Sequence, residues 1–560
     1  MEQMTASEYS SETPFDPSRF KDADLHPFTF WISRLAFIVA FLSQIIVAWR
    51  FWGITWDDSA ITLGFSRTFA LTGHIEPTPG SGIVEGYSTT LWMLLMALAA
   101  KFVGTPAALL AVAKISTLIL NLINLLLIRY WFSNWTSETL GNLIAGSVGC
   151  GLMFYETING METPIIMTLV LVMLILHSRT GTLNRLLYLI AGSALILTRW
   201  EAAWLLIPFV LIEPSRRRSL NSSIIWMAVF IIENLVRLRY FGQILPNTII
   251  AKHGIPYSNL NLRPHLKEPL LILASIKVMA VIMIAVHLYT RRHTTRQGLF
   301  LQRFLQPLRN SWQLRICLIF TLSSLVLSTA IGQNWGPPFR SFYSAWPFLI
   351  ALPLIAAFSN LRLPVLPLIT FCLCFASFSR LYAQVQDLRS PIAPVYMPNM
   401  TIDTVADTAS ILAEIQSISG HSNLVFAGPD MGGVILFTHD IKVIDLGLLC
   451  DSVLAHQRFA AIGTYVLQER HPDIIEVHGM WTIFTNFQSY PLFLARYRPV
   501  YLHGHRFFLD KSLIANIDPS RIIEKSFDSD GLAAEDQMQS QQGVLDYKLN
   551  QLFGSYLVLH

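Results

Sequence analysis

A polytopic α-helical membrane domain followed by a C-terminal soluble α/β domain is the fold class the sequence predicts, on three observations. Hydrophobic residues make up 53% of the 560 residues and charged residues only 14%, against about a quarter charged in a soluble domain. The apolar residues fall in about a dozen runs, several near the roughly 20 residues that a spanning helix needs. From about residue 382 onward the composition turns to that of a soluble domain. The formal net charge is a modest +4, and no basic tract of the nucleic-acid-binding kind occurs, so nucleic acid is not an expected partner.

Taken in order, residues 1–27 form a polar tail, expected in the cytoplasm. The first apolar run, 28–49, shows no small-residue cleavage pattern and is expected to be retained as a helix. Further runs occupy 107–128, 270–288, 316–331 and 363–378. The densest basic clusters, Arg216-Arg217-Arg218 and Arg291-Arg292 with Arg296, end apolar runs and are expected inside. The segment 89–103 opens with polar residues and is short, so it is expected to lie along the interface. That leaves about 11 transmembrane helices, a transmembrane domain over 28–380 with a first outer loop over 50–103, and an extracytoplasmic domain over 381–560. The expected location is the plasma (inner) membrane, with the lipid bilayer as a partner. Short apolar stretches at 186–197 and 202–212 are expected to stop before crossing, leaving a polar cavity open to the outside.

Within 381–560, the segments 423–427, 441–445, 473–477 and 501–509 read as strands, and 402–417 and 451–468 as helices. Gly428-Pro429-Asp430-Met431-Gly432-Gly433 lacks the Lys-Ser/Thr of a phosphate-binding loop and reads as a tight strand-to-helix turn. Asp430, Asp445 and Asp451 are expected to lie close together, in a structural role. The polar, Gln-rich stretch 526–542 reads as a loop. Four of the five cysteines lie in apolar runs, which leaves no disulfide framework outside.

The chemistry is concentrated in an adjacent acidic pair, Asp57 and Asp58, at the lip of the membrane domain. A charge near the bilayer is costly, roughly 2.5 to 3.5 kcal/mol at a helix centre on insertion scales, so two carboxylates there call for chemistry or ion handling. The ordinary structural reading is an N-cap at Asp58 of a helix over 59–71 ending at Gly73.

The stretch Asp57-Asp58-Ser59-Ala60-Ile61-Thr62-Leu63, followed by Glu85-Gly86-Tyr87-Ser88-Thr89-Thr90-Leu91-Trp92, resembles the first outer loop of a family of GT-C glycosyltransferases that includes the terminal β-arabinofuranosyltransferases of actinobacterial cell walls. Further matches follow in the family's order: Gly160-Met161-Glu162-Thr163-Pro164, Thr198-Arg199-Trp200-Glu201, Tyr240 to Thr248 with Ala251-Lys252, Trp335 with Arg340, and Val443 to Leu448 with Asp451. Gly64 stands where such proteins often carry an arginine, and Ile83 where they often carry another. The resemblance implies a GT-C type membrane enzyme, dependent on a polyprenyl-phosphate-linked sugar donor, that transfers the sugar to a glycan or glycoprotein acceptor at the outer face. Possible arabinofuranose transfer follows from the same likeness.

Transfer to a hydroxyl calls for a carboxylate base and for an anion near the developing positive charge of the sugar ring. Asp57 and Asp58 are the catalytic candidates. Arg67, Arg199, Arg237, Lys252 and Arg340 are the donor-phosphate candidates, several of them basic residues expected outside against the positive-inside tendency. Glu85, Tyr87, Glu162, Glu201, Asn247 and Trp335 are the candidates for a sugar or acceptor pocket, with ion pairing between Glu201 and Arg199 as the alternative. No metal ligand set is identified, and a divalent cation stays open as a cofactor. A polytopic transporter and a non-catalytic scaffold for envelope assembly are the alternative classes.

Overall fold

The computed structural model describes residues 27–213, 215–252, 311–331, 340–360, 402–438, 440–526 and 552–560. Among them, four helices are long and apolar enough to cross a membrane: Pro27–Arg50, Pro106–Trp135, Arg216–Phe241 and Trp312–Ile331. The expected total of about 11 includes runs at 270–288 and 363–378. Those runs, together with Arg291, Arg292 and Arg296, lie outside the described residues, as does nearly all of 526–542. By chain contacts the protein forms two compact units.

The first unit comprises Met1–Trp52, Ile115–Phe230 and Leu262–Met397. Its helices turn the soluble pattern inside out. In Pro27–Arg50 the buried face carries Ser33, Ala36, Ala40, Ser43 and Gln44, while Trp31, Leu35, Leu42 and Ile46 are exposed. Lipid is as apolar as leucine, so close backbone approach and interhelical hydrogen bonds hold such helices together. A Cβ at Gly146 would sit 3.2 Å from the backbone of Ala36, which marks how near the two chains pass. The Asn121 amide donates to Thr157 Oγ1 (2.7 Å), the Gln44 amide donates to the Gly149 carbonyl (2.6 Å), and the Tyr343 hydroxyl donates to Asn121 Oδ1 (2.6 Å). Around this polar seam, Trp131, Phe132, Phe209, Phe320 and Phe348 form the apolar core.

The apolar stretches expected to stop short are a helix at Thr182–Thr198 and a 3₁₀ turn, Trp200–Leu206, leading into the helix Ile207–Ile212. Arg199, between them, has extended backbone (φ −150°, ψ 142°), which breaks the helical path there.

The second unit comprises Gly53–Lys114, Ile231–Asn261 and Pro398–His560. Among the described residues it is built on a seven-stranded mixed sheet: β1 Val425–Gly428, β2 Lys442–Asp445, β3 Ile474–Ile475, β4 Tyr497–Leu502, β5 His505–Asp510, β6 Ile522–Ser526 and β7 Ser555–Leu559. Their spatial order is β2-β1-β3-β5-β4-β7-β6. β1 pairs in parallel with both β2 and β3, whereas β5 runs antiparallel to β3 and β4. The single strand expected over 501–509 is instead a hairpin, because His503 and Gly504 take left-handed backbone (φ 51° and 82°) and turn the chain between β4 and β5. The helix expected over 451–468 likewise divides into three pieces, Ser452–Gln457, a 3₁₀ turn Arg458–Ala461 and a π-helix Ile462–Arg470.

Strand alternation puts a core on each face of this sheet. Phe426, Val443, Ile474, Phe507 and Leu509 face one core, and Ala427, Ile444, Ile475 and Phe508 the other. Ile61, Phe65, Val84, Tyr87, Met93 and Ala97, from the segment between the first two long helices, join the first core, so this segment and the C-terminal sheet bury one hydrophobic interior. The segment expected along the interface forms the helix Thr90–Ala100, only 11 residues long. At 1.5 Å per residue that is about 16 Å, half a hydrocarbon core. It packs against the helix Asp57–Thr72, whose Ser66 hydroxyl donates to the Met93 carbonyl at 2.9 Å.

Gly64 of the Asp57–Thr72 helix lies directly against Ile435 of the short helix Gly432–Phe437, and a Cβ there would overlap the Ile435 side chain. The arginine common at this position in the resembling family has no room here. We expect Gly64→Leu to destabilise the second unit by about 1–3 kcal/mol, the usual cost of overpacking. Limited proteolysis and thermal unfolding of the full chain measure this, and adding Ile435→Ala should recover part of the loss.

Candidate active site

The helix Asp57–Thr72 starts two residues earlier than the sequence suggests. Its N-cap is Trp56 (φ −114°, ψ 143°), whose carbonyl accepts from the amides of Ser59 and Ala60. Neither acid is therefore the cap, which corrects the reading of Asp58. Both lie in the first turn, where carboxylates suit the helix dipole. The helix ends at Gly73 in left-handed backbone (φ 76°).

Asp57 is fixed from the sheet side. The Gly433 amide donates to its Oδ1 at 3.2 Å, and a Cβ at Gly432 would overlap the Asp57 carbonyl and carboxylate oxygens. The Gly-rich turn after β1 is thus a strand-to-helix turn that brings bare backbone onto an acid of the Asp57–Thr72 helix. Asp57 is half-buried, and loss of water around its carboxylate raises its pKa well above the usual carboxylate range. The charges of Asp430 and Asp58 push the same way, against the Gly432 and Gly433 amides.

Asp430 leaves β1 in left-handed backbone (φ 52°), which Asp tolerates better than most residues. Its Oδ2 lies 3.0 Å from His478 Nε2, and Glu476 Oε1 lies 3.6 Å from the other ring nitrogen. Burial works against a charged ring, but these two carboxylates prevail and hold the His478 pKa up to about 10. Asp445 ends β2, and its carboxylate accepts from the Gly447 and Cys450 amides, both at 2.7 Å. Burial lifts its pKa to about 7 against those amides. Asp451 caps the helix Ser452–Gln457 through the Leu454 amide (3.0 Å) and accepts from the Tyr465 hydroxyl.

Asp430, Asp445, Glu476 and His478 thus stand at the carboxyl ends of the parallel strands β1, β2 and β3. The chain order reverses about β1, and in open α/β sheets ligands bind outside the carboxyl ends at such a switch point. Asp57 reaches the same end of the sheet through Gly433. Sequence reading passed over Glu476 and His478, although positions just beyond a parallel strand were the available signal.

The other candidates are more enclosed than expected. Glu85 is buried and takes both oxygens to Arg237 Nε (3.1 and 3.0 Å), while Arg237 Nη2 donates to Glu233 Oε1 at 2.8 Å. Burial lifts the Glu85 pKa to about 7, opposed by Arg237. Tyr87, read as a candidate for the sugar or acceptor pocket, is instead 2% exposed and packed edge-on against Phe65. Asn247, read as a pocket residue, donates instead to the carbonyls of Leu448 (3.1 Å), Leu449 (2.7 Å) and Asp451 (3.3 Å), pinning the loop after β2. Arg67 Nη1 donates to the Leu436 and Thr438 carbonyls at the end of the Gly432–Phe437 helix. Lys252 is half-buried at the last position of the helix Asn247–Lys252. Trp335 lies outside the described residues.

In the first unit, Glu162 Oε1 accepts from Arg199 Nη1 (3.0 Å) and Arg340 Nη2 (2.5 Å), and Arg199 also pairs with Glu201. Burial raises the Glu162 pKa, yet the two arginines outweigh it and hold the carboxyl below its ordinary range. Arg199 and Arg340, expected to bind phosphate, therefore spend their charge on protein carboxylates. Among the described residues no group of three His, Cys, Asp or Glu side chains is arranged to hold a metal ion.

Because Glu162 is buried between two arginines, we expect Glu162→Gln to cost about 3–5 kcal/mol, the penalty of stranding buried charge. Thermal unfolding in detergent reads this loss. Glu201→Gln should cost less, because the Glu201 side chain is itself more exposed to water than that of Glu162.

No family model matches the chain, and no curated protein sequence matches it. Among solved structures, it is similar to the oligosaccharyltransferase of Archaeoglobus fulgidus in complex with zinc and sulfate, with 13% identity and a TM-score of 0.45 over 85% of this chain and 73% of that one. It is also similar to the A. fulgidus oligosaccharyltransferase tethered by a disulfide to an acceptor peptide containing the NVT sequon, with 11% identity and a TM-score of 0.44 over 86% and 74%. At these values the likeness assigns neither residues nor activity to this chain.

Proposed function

We propose that the protein is a membrane glycosyltransferase of the GT-C type, taking a sugar from a polyprenyl-phosphate donor and passing it to a glycan or protein hydroxyl at the outer face of the plasma membrane. The observation that carries this reading is Asp57, a carboxylate of raised proton affinity held by Gly433 at the carboxyl end of a parallel sheet. It sits in a loop whose acidic pair and Glu-Gly-Tyr segment resemble those of such enzymes, and arabinofuranose is the sugar that resemblance suggests.

In this reaction the acceptor oxygen attacks the anomeric carbon, its proton passes to Asp57, and the bond from that carbon to the phosphate oxygen breaks. Polyprenyl phosphate leaves with the electron pair. A base with raised proton affinity suits proton removal near neutral pH. Neighbours on a helix point about 100° apart, so Asp58 faces a different atom, the sugar ring or an orienting partner. Lys252 is the preferred phosphate contact, because it closes the Pro246-Asn247-Thr248 segment that resembles the family's motif.

Mass spectrometry of envelope glycans and glycoproteins lost on deletion identifies the product, and transfer assays on the purified chain then test the residues. We expect Asp57→Asn or Asp58→Asn to lower kcat by roughly two to four orders of magnitude while the protein stays folded and membrane-inserted. Near-normal transfer by both variants removes the pair from the mechanism, and a deletion without glycan loss favours the transporter or scaffold reading.

The pH profile follows from the sign of the Asp57 shift. A base must be ionised, so kcat/KM should rise with pH through a midpoint clearly above the ordinary value of about 3.9 for Asp. An acid limb at that ordinary value counts against Asp57. Lys252→Ala should weaken donor use more than acceptor use, and unchanged donor kinetics with both substrates varied rejects the phosphate role.

A further inference from the structure

A cleft of about 500 Å³ opens in the first unit, lined by Leu126, Arg129, Tyr130, Ser133, Asn134 and Glu138 among others. Two arginines from different helices meet on one carboxylate beside it: Arg129 Nη2 lies 2.8 Å and Arg34 Nη2 3.1 Å from Glu138 Oε1. A third, Arg179, donates to the Tyr130 hydroxyl at 2.9 Å. Three guanidinium groups against one carboxylate leave a surplus of two positive charges. Ser133 Oγ and Arg129 Nε, both buried, have no hydrogen-bond partner among the described residues.

The cleft also has a place along the helices. Arg34 lies near the start of Pro27–Arg50 and Arg129 near the end of Pro106–Trp135, so their shared contact with Glu138 brings together one end of two spanning helices. Leu126 at 46% exposed and Tyr130 at 44% line it in the open, and Trp31, 64% exposed, lies with its ring 5.6 Å from the Arg34 guanidinium. The Arg34 guanidinium lies 4.2 Å from the centre of the Phe30 ring. Cations mixed with exposed aromatic and aliphatic surface at helix ends are what a membrane interface favours.

We propose that this cleft binds the headgroup phosphate of an anionic phospholipid, with the acyl chains lying along Leu126 and the exposed face of Pro27–Arg50. A soluble anion would use the arginines but gains nothing from the apolar wall, whereas a phospholipid uses both. Glu138 keeps Arg34 and Arg129 splayed at the cleft rather than cancelling them. Ser137 takes no part, since its hydroxyl caps the helix Glu138–Ser147 by accepting from the Leu140 amide.

Native mass spectrometry of the full chain, released from micelles holding equal phosphatidylglycerol and phosphatidylcholine, tests this without any enzyme assay. Wild type should retain phosphatidylglycerol in clear preference. Arg34→Gln with Arg129→Gln should lower that preference roughly five-fold per arginine, the equivalent of about 1 kcal/mol each at an anionic surface. Asn134→Asp, at an exposed position outside the packed core, should lower it without disturbing the helices, so a misfolded double variant does not leave the question open. Arg217→Gln, in the separate basic cluster, should leave it unchanged. Equal retention of both lipids by wild type, unchanged preference in Asn134→Asp, or an Arg217→Gln loss as large as the Arg34 and Arg129 loss overturns the proposal. Displacement of the lipid by millimolar inorganic phosphate also overturns it, by showing a site for free anions.

Discussion

The contact on which the candidate site depends is the approach of Gly432 and Gly433 to Asp57. It requires a residue without a side chain at position 432, because a Cβ there would occupy the space of the Asp57 oxygens. It also takes an amide at position 433 to hold the carboxylate. Through it, the helix Asp57–Thr72 is seated on the end of a sheet whose first strand begins only at Val425. Gly64 against Ile435 extends the same close contact one helical turn and more along. The acid is consequently placed by two backbones rather than by a flexible side chain, the kind of support that a functional constellation needs.

Charge elsewhere in the chain is handled by pairing. Arg237 is shared between Glu85 and Glu233, and Glu162 between Arg199 and Arg340. Each arrangement is nearly dry, so it depends on matched geometry, and removal of one partner strands the others. Asp57 differs in kind. Its nearest charges, Asp430 and Asp58, have its own sign, and His478 is bonded to Asp430 rather than to Asp57. Like charges and lost water raise its affinity for a proton, whereas the paired residues are held in one ionisation state. This contrast separates an acid suited to proton transfer from acids that hold helices together.

The apolar helices follow a complementary logic. Their outward faces are large and oily, and their inward faces small and hydrogen-bonding, since water is not there to drive them together. The polar seam of Gln44, Asn121, Thr157 and Tyr343 is therefore cohesive. The arginines of the Leu126 to Glu138 cleft stand at the helix ends, where water and headgroups can solvate them.

Much was legible in the residues alone. Apolar runs marked the long helices, because hydrophobic length is a local property of the chain. Alternation marked β1, β2 and β3 to within a residue or two, and Gly73 marked the end of the Asp57–Thr72 helix. The acidic pair stood out because charge beside apolar runs is expensive. What tertiary structure alone decided is which charges face one another. Sequence offered Arg199, Arg237 and Arg340 as phosphate ligands, with Glu201 as a local partner for Arg199, but Glu85 and Glu162, far from them in the chain, complete their neutralisation. Tyr87 looked like a surface for sugar, but Phe65 and the sheet cover it. His478 and Glu476 carried no motif, and gained meaning only when β1, β2 and β3 aligned their carboxyl ends. Hydrophobic length and alternation depend on neighbours a few residues away, whereas ion pairing, burial and proton affinity depend on groups that only folding brings together.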